Sequence, residues 1–329
     1  MSVEDLPKVE LHLHLEGAAP PDFIRLLAGE QGVVLNGVFD AQGHYAWADF
    51  AGFLDCYHRA CEVLTGPDEF RRLVEAVLAK SAHDGVIYTE LFIAPHICGG
   101  GDRGAWFEYL DALYAGAAAA RKAHGIEARF VSTCIRNLGP EAARLAAALS
   151  AEAAGPMLTG FGMGGEERHL AAADFAPAFD IAREAGLGLT SHAGEICGPG
   201  SVRETLDHLR PARIGHGVRA IEDPALVARL AVEGVVLEVN PGSNVALAVC
   251  PGWAAHPIDR LRRAGVKVTV STDDPPYFHT DMAHEYRMLA NTFGWGEEVF
   301  RDLNLTAIDA AFCDEPTRAA IRARLLKGA

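Results

Sequence analysis

The sequence predicts an α/β fold: a (β/α)8 TIM barrel with a helical insertion after strand 1 and extra C-terminal helices. Three observations carry this expectation. Short apolar, β-branched runs recur eight times, stretches of helical period separate them, and His, Asp or Glu stands at the end of four of the runs. Alternating strand and helix implies a parallel sheet, and eight such units suit a closed barrel. A doubly wound open sheet shares the local pattern and stays open as an alternative at this level.

The candidate strands are Val9–Glu16, Gly85–Pro95, Ile126–Ile135, Leu158–Gly165, Gly188–Glu195, Arg213–Gly217, Val235–Pro241 and Lys267–Pro275. Between them, Glu69–His83, Trp106–His124, Ala171–Ala185, Val202–Leu209 and Pro224–Glu233 repeat apolar residues at three- and four-residue spacing, often closed by Gly. About seventy residues separate the first two strands, more than one crossover helix needs. They hold the amphipathic stretches Asp22–Glu30, Trp47–Leu64 and Asp68–His83, expected to form a lid or pocket wall. Met282–Leu326 reads as three further helices outside the barrel. No Ser/Pro-rich linker, low-complexity tract or repeat interrupts the chain, so one domain over residues 1–329 is expected.

Composition narrows the function. The 329 residues are half apolar and carry 29 Lys+Arg against 44 Asp+Glu, a net charge of −15. That is ample chain for a core, and it excludes a disordered, collagen-like or coiled-coil protein. An acidic surface argues against a nucleic-acid partner, because phosphate backbones are bound by clustered Lys and Arg. The seven cysteines are odd in number and form no Cys-x-x-Cys pair, which suggests buried thiols in a reducing compartment. The N-terminus shows no basic region followed by an apolar run, and no 18-residue apolar stretch occurs. A cytoplasmic protein without a membrane partner is expected.

Polar residues cluster where the strands should end. Strand one closes in Glu-Leu-His12-Leu-His14-Leu-Glu16, and alternation along a strand puts His12 and His14 on one face. Taken alone, they could be core histidines bonded to carbonyls or ligands of a metal. Strand five ends at His192-Ala-Gly-Glu195, strand six at His216, and strand eight at Asp273-Asp274. In a (β/α)8 barrel these ends converge on the face where active sites of this fold sit. His12, His14, His192 and Asp273 would supply a zinc with four ligands, leaving Glu195 and His216 for acid–base hydrolysis. A two-metal version of such a barrel usually needs a bridging ligand at strand four, often a modified lysine, and that strand ends without one, so one Zn2+ per chain is expected.

Together these motifs resemble the adenosine deaminase family of the amidohydrolase superfamily over nearly the whole chain. The resemblance lies in Pro7–Ala18, Ser191–Glu195, Arg213–Arg219, Glu222-Asp223-Pro224, His256-Pro257 and Ser271–Pro275, in the family's order. It implies a mononuclear zinc barrel that hydrolyses a 6-aminopurine to its 6-oxo form. By position, His12, His14, His192 and Asp273 match the zinc ligands, and Glu195 matches the residue that protonates purine N1. His216 matches the imidazole that orients the attacking water and helps deprotonate it. Asp274 matches the carboxyl that meets N7, and Gly165 the backbone N–H that meets N3.

The substrate motifs are mixed. Nucleoside-specific members usually carry Asp at the position of Glu16, where it reaches the ribose 5′-hydroxyl, whereas Glu is more familiar in relatives acting on free adenine or altered nucleosides. Glu16 could equally orient a zinc histidine. Ile214-Gly215-His216-Gly217 departs from the Ile-Asp-His-Gly of free-adenine members. Thr272 looks nucleoside-like, Pro276-Tyr277-Phe278 looks adenine-like, and Asn240 stands where Cys is common. The leading expectation is deamination of adenosine and 2′-deoxyadenosine to the inosine nucleosides plus ammonia. The alternatives are adenine to hypoxanthine, a modified adenine nucleoside, or a catalytically inactive purine-binding protein. The acidic chain suits a small uncharged nucleoside or base. Phe50, Phe53, Leu54 and Tyr57 read as core or pocket wall, and His96, His279 and His284 as surface or hydrogen-bonded histidines.

Overall fold

Eight parallel strands follow one another around the sheet in chain order in a computed structural model that describes residues 2–327. They are β1 (Lys8–His14), β2 (Val86–Ile93), β3 (Glu127–Ile135), β4 (Leu158–Gly164), β5 (Gly188–Ala193), β6 (Arg213–His216), β7 (Val236–Val239) and β8 (Lys267–Val270). The ends of the sheet meet just past β8. His14 N–H donates to the Asp273 carbonyl at 3.0 Å, and Asp273 N–H donates to the His12 carbonyl at 3.1 Å. That contact makes a barrel of the pattern and excludes the open doubly wound sheet.

All eight expected strands form, and several stop earlier than their apolar runs suggest. Glu16, Glu195 and Asp274 lie in turns or bends beyond the ladders, and Asp273 is held past β8 by a single parallel bridge to Leu13. His216 and Asp273 adopt φ of +61° and +70°, a left-handed conformation that ends a strand and turns the side chain into the mouth. Such strain in non-glycine residues clusters at functional sites.

The insertion forms helices Pro21–Gln31, Phe50–Cys61 and Pro67–His83, and the tail forms Met282–Phe293, Glu297–Ala310 and Glu315–Lys327. The stretch expected over Ala171–Ala185 divides into a 3-10 turn, Ala172–Phe175, and a helix, Ala176–Glu184. Pro177 lacks an amide proton and suits the first turn of that helix. The helix Gly139–Ala153 was not among the expected elements. Its buried face is largely Ala143, Ala146 and Ala147, side chains too small to print an apolar period.

The tail also closes the bottom of the barrel. The buried guanidinium of Arg213 lies 3.5 Å from the ring centre of Phe312, and pairs with Glu90 at 2.5 Å and Glu238 at 2.6 Å. Removing one member of such a buried set strands a charge, at a cost of about 3–5 kcal/mol. All seven cysteines are free thiols. Among the described residues no helix is long and apolar enough to cross a membrane.

Candidate active site

Two strands and one turn bring the expected ligands together. β1 supplies His12 and His14, β5 supplies His192, and the turn after β8 supplies Asp273. Their donor atoms all lie within 4.8 Å of one another. His14 Nε2 is 3.2 Å from His192 Nε2, and Asp273 Oδ1 is 3.3 Å from both His12 Nε2 and His14 Nε2. Donors held about 2.0–2.2 Å from one tetrahedral zinc stand roughly 3.3–3.6 Å apart, so the spacing fits the ion.

The surroundings prepare these atoms for it. His12 Nδ1 meets Glu238 Oε2 at 2.8 Å and His192 Nδ1 meets the Met163 carbonyl at 2.9 Å. Both partners are acceptors, so each proton sits on Nδ1 and each Nε2 lone pair faces the common centre. His12 Nε2 is buried without a hydrogen-bond partner, an orphan that a metal would satisfy. Asp273 Oδ2 accepts from Ser243 Oγ at 2.7 Å. Burial alone would raise the Asp273 carboxyl, but the imidazoles of His12, His14 and His216 gathered around it outweigh burial and hold the group well below the usual carboxylate range. The carboxylate that orients His12 is thus Glu238, not Glu16.

Beside this cluster stand an acid and an imidazole. His216 Nε2 lies 3.8 Å from Glu195 Oε2 and 4.0 Å from Asp273 Oδ2. Burial, followed by the charges of Asp273 and Glu167, raises the Glu195 carboxyl well above its ordinary value. A carboxyl raised in this way can serve as a general acid. Burial lowers His216 to about 3, so the imidazole is neutral.

Sequence reasoning passed over the group that holds Glu195 in place. The buried Glu167 carboxylate accepts from the backbone N–H groups of Gly194, Glu195, Ile196 and Cys197 and from Ser201 Oγ. The only signal in the sequence is the pair Glu166-Glu167 after a glycine-rich strand, and nothing there says which one turns inward.

The expected substrate contacts line the same mouth. Asp274 is buried with Oδ1 unpartnered, and burial, then Asp273, Glu195 and Glu16, raise it well above the usual range. A Cβ on Gly17 would stand 1.5 Å from that oxygen, so only glycine fits there. Glu16 is also buried with Oε1 unpartnered, and burial raises it to about 7. Gly165 is exposed with φ of +102°, and a Cβ there would lie 2.6 Å from Asn137 Oδ1, so the position suits glycine.

The insertion meets the mouth through aromatic rings. Phe53 lies 5.2 Å from Phe278 between ring centres, and Trp47 Nε1–H donates to the Tyr277 carbonyl at 2.8 Å. Tyr57 lies 5.5 Å from Tyr277 between ring centres, so Phe53 and Tyr57 both pack against the segment that follows Asp274. Leu54 is exposed instead, one position off the buried face, and the Phe50 side chain lies outside the described residues. His96, His279 and His284 are not among the clustered donors.

Comparison with known proteins points the same way. A family profile described as adenosine deaminase matches residues 7–328. The chain is 50% identical to an adenine deaminase of Rhizobium leguminosarum bv. trifolii over 324 residues, covering 97% of this chain and 99% of that one. Against an adenine deaminase of Agrobacterium fabrum it is 47% identical over 323 residues, with 97% and 98% covered. Among solved structures, adenine deaminase from Arthrobacter aurescens superposes with a TM-score of 0.89 at 28% identity, covering 98% of both chains. An amidohydrolase from Burkholderia ambifaria with bound zinc superposes with a TM-score of 0.86 at 27% identity, covering 99% of this chain and 91% of that one.

Proposed function

The chain belongs to the adenosine deaminase family, and from that premise we propose that it hydrolyses free adenine to hypoxanthine and ammonia. As a member it is a hydrolase of C–N bonds in cyclic amidines, and its reaction is hydrolytic deamination of a purine. The relatives named adenine deaminase favour the free base over adenosine, which the motifs had placed first. The observation that carries the reading is the convergence of the His12, His14, His192 and Asp273 donors on one point beside the raised Glu195 carboxyl.

Glu16 supports the choice of base. A free adenine offers an N9–H that a nucleoside lacks, because ribose occupies that nitrogen. A buried carboxyl with an unpartnered oxygen, close enough to Asp274 to raise its pKa, suits that N–H. Asp274, kept protonated, donates to N7, and the Gly165 backbone N–H meets N3. Together these contacts orient C6 toward Glu195.

Held by His12, His14, His192 and Asp273, one zinc per chain would act as a Lewis acid and lower the pKa of a coordinated water to about 7. Glu195 gives its proton to N1, which makes C6 electrophilic while the water oxygen adds there. The resulting carboxylate collects a proton from the added oxygen and passes it to the exocyclic amine. As the C6–N bond breaks, the second oxygen-bound proton returns to Glu195. One water proton thus ends on N1 and one in ammonia, and the acid is restored. His216 orients the oxygen, and the wall of Trp47, Phe53 and Phe278 limits access of bulk water. An inactive purine-binding role has less support, since ligands, acid and imidazole are all present.

The test is loss of absorbance in the adenine band, run in parallel on adenine, adenosine and 2′-deoxyadenosine with the wild type and Glu16→Ala. Adenine should have the highest kcat/KM, and the variant should lose more on adenine than on either nucleoside. A wild type that prefers adenosine would overturn the free-base assignment.

A further inference from the structure

His216 differs from its neighbours in what stands at its Nδ1. His12 and His192 present Nδ1 to acceptors, the Glu238 carboxylate and the Met163 carbonyl. His216 Nδ1 instead meets two side-chain amides, Asn244 Nδ2 at 3.2 Å and Asn240 Nδ2 at 3.3 Å.

The polarity of the Asn244 amide is set from outside the site. The backbone N–H of Ile258, which can only donate, points at His256 Nδ1 at 3.2 Å. That nitrogen is therefore the acceptor, and the proton of the neutral ring sits on Nε2. Burial, with a smaller contribution from Arg260, lowers His256 to about 3 and keeps the ring neutral. Its Nε2–H faces Asn244 Oδ1 at 3.2 Å. With Oδ1 engaged there, Asn244 has only its NH2 to turn toward His216. Asn240 has the same polarity, because its Nδ2 also lies 3.3 Å from the Glu238 carbonyl. His216, Asn240, Asn244 and His256 are all buried, so water does not compete for these bonds.

We infer that the chain from Ile258 N–H through His256 and Asn244 locks His216 as its Nε2–H tautomer. His216 then presents a proton, not a lone pair, to the reacting oxygen. Asn244 and His256 are positioning residues; of these three only His216 touches the reaction. The inference deepens the deaminase reading and rests on it. An Nε2 that already carries hydrogen cannot take a proton from water. Protonating Nδ1 in compensation would set an N–H against two amide N–H groups. His216 therefore donates a hydrogen bond to the oxygen adding at C6, and both proton transfers fall to Glu195. This replaces the part in deprotonation expected from the family resemblance. It also disqualifies Glu195, His216 and Asp273, whose donor atoms lie within 4.8 Å of one another, as a second metal site through Nε2.

Asn244→Asp tests the lock by placing a carboxylate at Nδ1, which draws the proton there. Zinc-loaded protein labelled with 15N-histidine is examined without substrate, with His216→Gln identifying the resonance. The wild-type ring should be protonated at Nε2 and bare at Nδ1, and Asn244→Asp should show protonated Nδ1. Loss of a preorganised donor to a developing oxyanion lowers kcat about 100-fold or more, and in Asn244→Asp KM should change little beside it. A wild-type His216 protonated at Nδ1 would overturn the inference, as would Asn244→Asp with an altered tautomer and wild-type kcat. Because the tautomer is read without substrate, a protein that deaminates no aminopurine would refute the proposed function and leave this measurement intact.

Discussion

Glu167→Gln perturbs the loop that carries the acid without touching a proposed ligand or substrate contact. In the wild type, Oε2 accepts from the N–H groups of Glu195, Ile196 and Cys197 at 3.2, 2.8 and 2.8 Å. Oε1 accepts from Gly194 N–H and from Ser201 Oγ. Glutamine keeps one acceptor oxygen and turns an NH2 toward the other set of donors. Whichever way the amide lies, at least two donors lose their partner. Each buried unpaired donor costs about 1–3 kcal/mol, and the loss is partly relieved because Ile196 and Cys197 are only half-buried and their loop can shift toward water. A net cost of about 2–3 kcal/mol, expressed mainly as displacement of Glu195, corresponds to roughly a 100-fold fall in kcat.

The substitution also removes a negative charge that helps raise Glu195. In the proposed mechanism Glu195 acts as its protonated form, so activity should be lost as pH rises through its pKa. Lowering that pKa moves the alkaline limb of the kcat profile to lower pH, which loosening of the loop alone would not do. Adenine absorbance assays across pH, metal analysis and thermal melts read these effects separately. The melting temperature should drop by about 3–4 °C with zinc content unchanged. A variant with kcat near wild type and an unmoved alkaline limb would refute the reasoning.

Glu195→Gln should retain zinc and lose about 10²–10⁴-fold in kcat, the usual contribution of a general acid; near-normal turnover would remove Glu195 from that role. Purified protein should carry about one zinc per chain, and chelation should abolish activity and lower the melting temperature. Two tightly held metals per active chain would contradict the single-ion site. Burial raises Glu285 to about 8, against hydrogen bonds from Thr280 and Gly242 that lower it. Its folded-state pKa exceeds the unfolded value, so the folded chain holds the extra proton and stability falls as pH rises from about 5 through 8. Glu285→Gln mimics the protonated acid and should flatten that decline in melting temperature. An unchanged slope would show that Glu285 does not carry it.

Strand-end chemistry was readable because it follows local rules. A period of two puts His12 and His14 on one face in any strand, and parallel connection sends every strand's C-terminal end to one rim. His192, His216 and Asp273 could therefore be grouped across nearly the whole chain without knowing a distance. The Ala-rich helix Gly139–Ala153 escaped notice because alanine buries well and leaves no strong period. Glu166 and Glu167 could not be told apart, since adjacent identical residues differ only in which way the backbone turns.

Chain order and residue type were enough to expect the barrel and to group the candidate donors and Glu195 at one rim, because those depend on secondary-structure period and on how many strands the pattern supplies. Proton placement and support depended on contacts between distant segments. His12 is oriented by Glu238, and Glu238 in turn by Arg213 and Thr190. His216 is set by a backbone amide at Ile258 that reaches it only through His256 and Asn244. Hydrogen bonds have direction, and a donor's direction is defined only when both partners stand in three dimensions. The sequence could therefore name the imidazoles of this site, but which nitrogen holds each proton was decided by the fold.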